Sequence, residues 1–146
     1  MGTIDFPVVG IGASAGGITV LQDFFDHVDA DSDMAFVVIT HLSPEKKSTL
    51  DELLAQHTAM EVHQVTKKTQ IKPGHIYVIP PSKQLSMKGD MLLLAEKEKS
   101  HQAVIDVFLR SMAKECEKMG IGIILSGTGS DGTLGLKAVK EFGGVT

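Results

Sequence analysis

Three continuous apolar runs constrain this chain more than any other feature. Phe6 to Ile11, "AFVVIT" at residues 35–40 and "IGIILS" at residues 121–126 lack the apolar–polar alternation of a strand with one wet face. Runs of this kind suit strands buried on both sides, as in a parallel sheet covered by helices. Helical spacing follows each run. Ile18, Leu21, Phe25 and Val28 follow the first, and Leu50, Leu53 and Leu54 of "SPEKKSTLDELLAQH" follow the second. After the third run, Leu134, Ala138 and Phe142 are expected to face inward from a final helix. A further helix is expected from His101 to Lys118.

The middle of the chain reads differently. "EVHQV", "HIYVI", "QLSMK" and "MLLLA" are short strand candidates, the last two joined across Lys88-Gly89-Asp90 in a hairpin, and this part is expected to be antiparallel. The expected fold class is therefore α/β: a three-layer sandwich with a mostly parallel, doubly wound sheet and a small antiparallel hairpin. At 146 residues the chain reads as one domain, able to bury roughly 68–70 % of its unfolded surface without disulfide or metal staples.

The charge balance narrows the partners. A formal net charge of −4, without a dense Lys/Arg block, argues against a nucleic-acid scaffold. No apolar run approaches the eighteen or so residues of a membrane span, and "MGTIDFPVVG" has neither a basic leader region nor a cleavage site, so a cytoplasmic location without membrane insertion is expected. Cys116 falls in step with Ile105, Phe108, Leu109, Met112 and Met119, which marks it as a core thiol.

The stretch "GIGASAGG" can be read in two registers. As G-x-G-x-x-A, Gly10, Gly12 and Ala15 would form a dinucleotide-binding loop; as G-x-S-x-G, Gly12, Ser14 and Gly16 would form a turn that displays a serine nucleophile. A cofactor loop calls for an acidic residue at the end of the second strand, where this chain has Thr40-His41. Gly127, Gly129 and Gly132 also fit G-x-G-x-x-G, but Asp131 would then oppose a pyrophosphate. Neither loop has the Gly-Lys-Ser/Thr of a P-loop.

The serine register joins three strand ends. Ser14, His41 and Asp131 follow the first, second and last apolar strands, so nucleophile, base and orienting carboxylate would share one rim of the sheet. Small neighbours suit a sharp nucleophile turn, and exposed N–H groups there can stabilise an oxyanion. The plainer alternative is that Ser14 and Asp131 each cap the helix that follows them.

Set side by side, "GIGASAGG", "VVITHLSP" and "ILSGTGSDGTLGLKAVKEFGG" resemble the catalytic domain of the chemotaxis protein-glutamate methylesterases, the CheB family. The wording of residues 34–44, "HIYVIPP", "IDVFLRSMA" and "LSGTGSDG" is most similar to methylesterase domains fused ahead of a receptor methyltransferase domain. The resemblance implies an α/β sandwich and a triad of Ser14, His41 and Asp131, with oxyanion donors from the main chain at Ala15, Thr128 and Gly129. It implies hydrolysis of glutamate γ-methyl esters on chemoreceptor helices, and deamidation of receptor glutamines, with no metal or cofactor.

The chain also departs from that pattern. It starts directly at the first catalytic strand without the family's receiver domain, and it stops before a strand and a "GMP" segment. It is therefore expected to be truncated, with an uncovered sheet edge that could support a homodimer. "QAV" at residues 102–104 stands where Arg-Pro-Ser is usual, and Ala15 where Thr is common. A non-catalytic receptor-binding module and a nucleotide-binding domain are the alternatives in other functional classes. His27, His57, His63, His75 and His101 share no tight metal-ligand spacing, so no metal site is expected.

Overall fold

The computed structural model describes residues 4–40, 50–80, 83–96, 103–126 and 130–146. The three apolar runs become strands β1 (Val8–Ala13), β2 (Ala35–Thr40) and β8 (Gly120–Ser126). They lie side by side with β3 (Glu61–Gln64) and β5 (His75–Val78) in a five-stranded parallel sheet of order β3-β5-β2-β1-β8. A second sheet is antiparallel, with β7 (Met91–Glu96) between the two-residue β4 (Thr69–Gln70) and β6 (Lys83–Lys88).

The period-2 alternation of each strand sorts its side chains between two cores. Val9, Ile11, Phe36, Val38, Ile76 and Val78 pack with Leu21 and Phe25 of α1 (Ile18–Asp26) and Leu50 and Leu54 of α2 (Leu50–Ala55). Val8, Val37, Ile39, Tyr77 and Ile79 face α3 (Val104–Cys116), α4 (Thr133–Glu141) and the small sheet. The α3 stripe read from the sequence is the buried one: Ile105, Phe108, Leu109, Met112 and Cys116 all lie in this core. Burial pushes the Cys116 thiol up to about 12, with the Glu115 carboxylate adding to the effect.

Two expectations are corrected. "EVHQV" and "HIYVI" form parallel strands of the main sheet, and antiparallel pairing is confined to the small sheet of β4, β7 and β6, because Ile76 to Val78 are buried on both faces and pair with β2. The return from β3 to β5 runs through β4 instead of a helix. The phase of α4 also differs: Gly135 and Val139 are buried, while Leu134 is 58 % and Phe142 46 % exposed. Close packing selects that phase. A Cβ at Gly135 would lie 2.6 Å from the Cβ of Leu109, so α4 approaches α3 on the one stripe that lacks a side chain there.

After α4, Val145 makes a parallel bridge to Ile121 on the outer side of β8. The connections from β1 thus lead to β2 on one side, and those from β8 lead away on the other. The crevice at the carboxyl ends of β1 and β8 is the topological switch point, where ligands of open α/β sheets collect.

Candidate active site

Gly10 and Gly12 lie inside β1, in register with both β2 and β8, and not in a loop. A Cβ at Gly10 would lie 2.7 Å from Leu109 Cδ2, and one at Gly12 2.7 Å from Ile105 Cγ2. These glycines let α3 pack against the sheet; they do not cradle a phosphate. The G-x-G-x-x-A register therefore fails on its own first two positions.

Ser14 follows the last residue of β1, half-buried, with extended backbone at φ −73° and ψ 162°. The chain then tightens into a 3-10 turn at Ala15–Gly17, where the Gly17 amide donates to the Ser14 carbonyl at 2.8 Å. The Ser14 side chain makes no capping hydrogen bond, so the plain role of helix cap does not account for it. Among the described residues a Cβ at Gly16 would find only Ser14 Oγ, at 3.9 Å, so Gly16 is not held to glycine by packing.

Asp131 reaches the same rim from β8. Gly12 pairs with Ile124 but Ala13 with Ser126, so Leu125 is an extra residue that bends the end of β8 where its loop leaves. Gly132 takes φ +106° at the start of α4, and a Cβ there would lie 2.5 Å from Ile124 Cδ1, so only glycine fits. The Asp131 carboxylate reaches across to α3. It accepts the amide of Ile105 at 3.1 Å and that of Asp106 at 2.8 Å, at the N-terminus of α3. The carboxylate is half-buried there, with its charge opposite the positive end of a helix dipole.

Thr40 pairs in register with Ala13, the residue before Ser14, and directly precedes His41. Its Oγ1 is buried and has no hydrogen-bond partner among the described residues. His41, Thr128 and Gly129 lie outside the described residues. The structure thus brings Ser14 and Asp131 to the ends of adjacent strands at the switch point, and Thr40 with them.

Sequence reasoning passed over Asp106. It is buried, and its Oδ1 accepts the amides of Gly132 at 2.9 Å and Gly135 at 2.7 Å. The available signal was an acidic residue in the first turn of α3, where a carboxylate meets unpaired helix amides.

Comparison with known proteins agrees with this architecture. A crystal structure described as the Thermotoga maritima CheB methylesterase catalytic domain superposes with a TM-score of 0.88 at 29 % identity, covering 97 % of this chain and 79 % of that one. A putative protein-glutamate methylesterase/protein-glutamine glutaminase of Leptospira interrogans is 28 % identical over 145 residues, covering 97 % of this chain and 75 % of the relative. A protein-glutamate methylesterase/protein-glutamine glutaminase 2 of Xanthomonas oryzae is 33 % identical over 145 residues; there the chain spans 40 % of the relative's length. Among the described residues no helix is long and apolar enough to cross a membrane. The profile of the CheB methylesterases matches residues 9–146, nearly the whole sequence, and the chain belongs to that family.

Proposed function

We propose that this chain is a protein-glutamate methylesterase and glutamine deamidase of chemotaxis, acting in the cytoplasm on the methylated helices of chemoreceptors. The observation that carries this reading is the placement of Ser14 and Asp131 at the carboxyl ends of the adjacent strands β1 and β8, in a chain of the CheB methylesterase family.

In this reading Ser14 Oγ attacks the ester carbonyl while His41 takes the hydroxyl proton. The tetrahedral intermediate collapses, the methoxide leaves as methanol with that proton, and water releases the glutamate carboxylate from the acyl-enzyme. For glutamine the leaving group is ammonia. Asp131 keeps the imidazole oriented and balances its positive charge. Main-chain amides at Ala15, Thr128 and Gly129 take the role of oxyanion donors. From the wording of residues 34–44 and 105–113 we also infer an origin in a methylesterase–methyltransferase fusion, which the reading frame beyond Thr146 tests.

The decisive measurement is methanol release from methyl-esterified receptor fragments by the wild-type chain and by Ser14→Ala. Loss of a triad nucleophile lowers turnover about a million-fold. Since the Ser14 side chain caps nothing, the variant is expected to stay within about 0.5 kcal/mol of wild-type stability. Retention of most of the activity in Ser14→Ala would remove Ser14 as the nucleophile.

A further inference from the structure

At the other end of the sheet, three metal-ligating side chains converge. Glu61 and His75 are register partners on the parallel strands β3 and β5, and His63 pairs with Tyr77 two residues on. Because strand side chains alternate with a period of 2, all four project from one face. His63 Nε2 and His75 Nδ1 face each other at 2.9 Å, and Glu61 Oε2 lies 3.3 Å from His75 Nδ1. One donor atom from each of Glu61, His63 and His75 lies within 4.8 Å of the other two. Around a tetrahedral zinc ion with bonds of 2.0–2.1 Å, donor atoms sit about 3.3 Å apart. Of the three donor pairs, Glu61–His75 already has that value, His63–His75 needs to open by a few tenths of an ångström, and Glu61–His63 lies within 4.8 Å, a gap that the exposed carboxylate can adjust by rotation.

The surroundings hold this arrangement in place. The Tyr77 ring stacks on His63 with centroids 5.3 Å apart, and His63 on His75 at 5.1 Å. The phenol oxygen accepts the Lys72 amide at 2.9 Å, which pins the ring. The cluster opens into a cleft of about 410 Å³ lined also by Gln64, Lys67 and Lys72. Glu61 is 73 % exposed on the edge strand, whereas His75 is 24 % exposed. The donor set combines two fixed imidazoles with one adjustable carboxylate and leaves a coordination position open to solvent.

We propose that Glu61, His63 and His75 form a binding site for one divalent transition-metal ion of the zinc class, separate from the Ser14 rim. Two imidazole nitrogens and a carboxylate suit zinc, nickel or copper, while magnesium and calcium prefer all-oxygen cages. The ion would clip the edge strand β3 to β5 and stabilise the folded sheet by mass action.

The test uses an internal reporter. Tyr77 is the only tyrosine and the chain has no tryptophan, so tyrosine emission reads the wall of the site directly. Chelator-treated, tag-free protein is titrated with zinc chloride while emission is followed, with stoichiometry from equilibrium dialysis and thermal melts with and without zinc. Expected are saturation at one ion per chain, a rise in Tm with zinc, and no response to magnesium. Glu61→Gln, His63→Gln and His75→Gln are each expected to weaken zinc binding at least about tenfold. His57→Gln, at a histidine paired with Asp26 elsewhere, is the control and should bind as wild type does. Glu61 is exposed enough that its variant keeps the fold, checked by circular dichroism. Absence of saturable binding, equal binding by Glu61→Gln and His75→Gln, or equal loss in His57→Gln would each overturn the proposal.

Discussion

Asp131 and Asp106 each hold the start of the other's helix. The Asp131 carboxylate accepts the first amides of α3 from Ile105 and Asp106, and the Asp106 carboxylate accepts the amides of Gly132 and Gly135 at the start of α4. Two negative charges are thereby placed against two positive helix ends, and the loop that carries Asp131 is tied down from both sides.

That exchange predicts a strong, local effect of removing Asp106. Hydrogen bonds to a charged partner contribute about 1.5–3 kcal/mol, and here two buried amides lose theirs together. Asp106→Ala is expected to cost about 3 kcal/mol in urea unfolding. Asp106→Asn, which keeps one acceptor oxygen, should recover at least half of that cost. Since Asp106 acts through the position of Asp131, the alanine variant should also lower kcat for methyl-ester hydrolysis with little change in KM. An Asp106→Ala protein as stable as wild type would show that water replaces the carboxylate at no cost.

The glycines of "GIGASAGG" predict opposite outcomes at two positions four residues apart. At Gly12 a methyl group would meet Ile105 Cγ2 at 2.7 Å and Ile124 Cδ1 at 2.9 Å, so Gly12→Ala must push the first turn of α3 away from the sheet. Overpacking of this kind costs about 1–3 kcal/mol, and it would also shift the Ile105 amide that anchors Asp131. At Gly16 the nearest atom is Ser14 Oγ at 3.9 Å, so Gly16→Ala should change stability by no more than about 0.5 kcal/mol. Urea midpoints of the two variants decide it; equal losses would mean that the α3 contact is not what demands Gly12.

Alkaline stability follows from the buried thiol. Cys116 is pushed up from an ordinary value of 9.0 to about 12, first by burial and then by Glu115. Between those values the unfolded chain releases the thiol proton and the folded chain keeps it, so the folded state binds more protons and stability falls as pH rises. The contribution is fully present below about pH 9 and is lost toward pH 12, at up to about 1.4 kcal/mol per pH unit. Tyr77 acts in the same direction: burial raises its phenol above 10.0 and Glu61 adds to the rise, against the Lys72 amide. Urea melts at pH 8, 10 and 11 should show a steeper decline for wild type than for Cys116→Ala, and parallel declines would remove the thiol as the cause.

The local content of this chain was written in its residue order. Short continuous apolar runs suit strands buried on both faces, and β1, β2 and β8 are such strands, with Ser14 and Asp131 after the first and the last. The regular step of Ile105, Phe108, Leu109, Met112 and Cys116 likewise gave α3 and its buried face. Those features depend on side-chain periodicity, a property of neighbours along the chain.

What depended on partners far along the chain was decided only by the tertiary structure. The direction of β3 and β5 follows from the pairing of β5 with β2, and the phase of α4 follows from how closely Gly135 can approach Leu109. The target of the Asp131 carboxylate is a helix that begins 27 residues earlier, since α3 starts at Val104. Glu61, His63 and His75 have no metal-ligand spacing in the sequence, yet the parallel register of β3 and β5 brings them within reach of one ion. Periodicity tells which face of an element is buried, but strand register and helix contact are long-range packing choices, and they set which side chains meet.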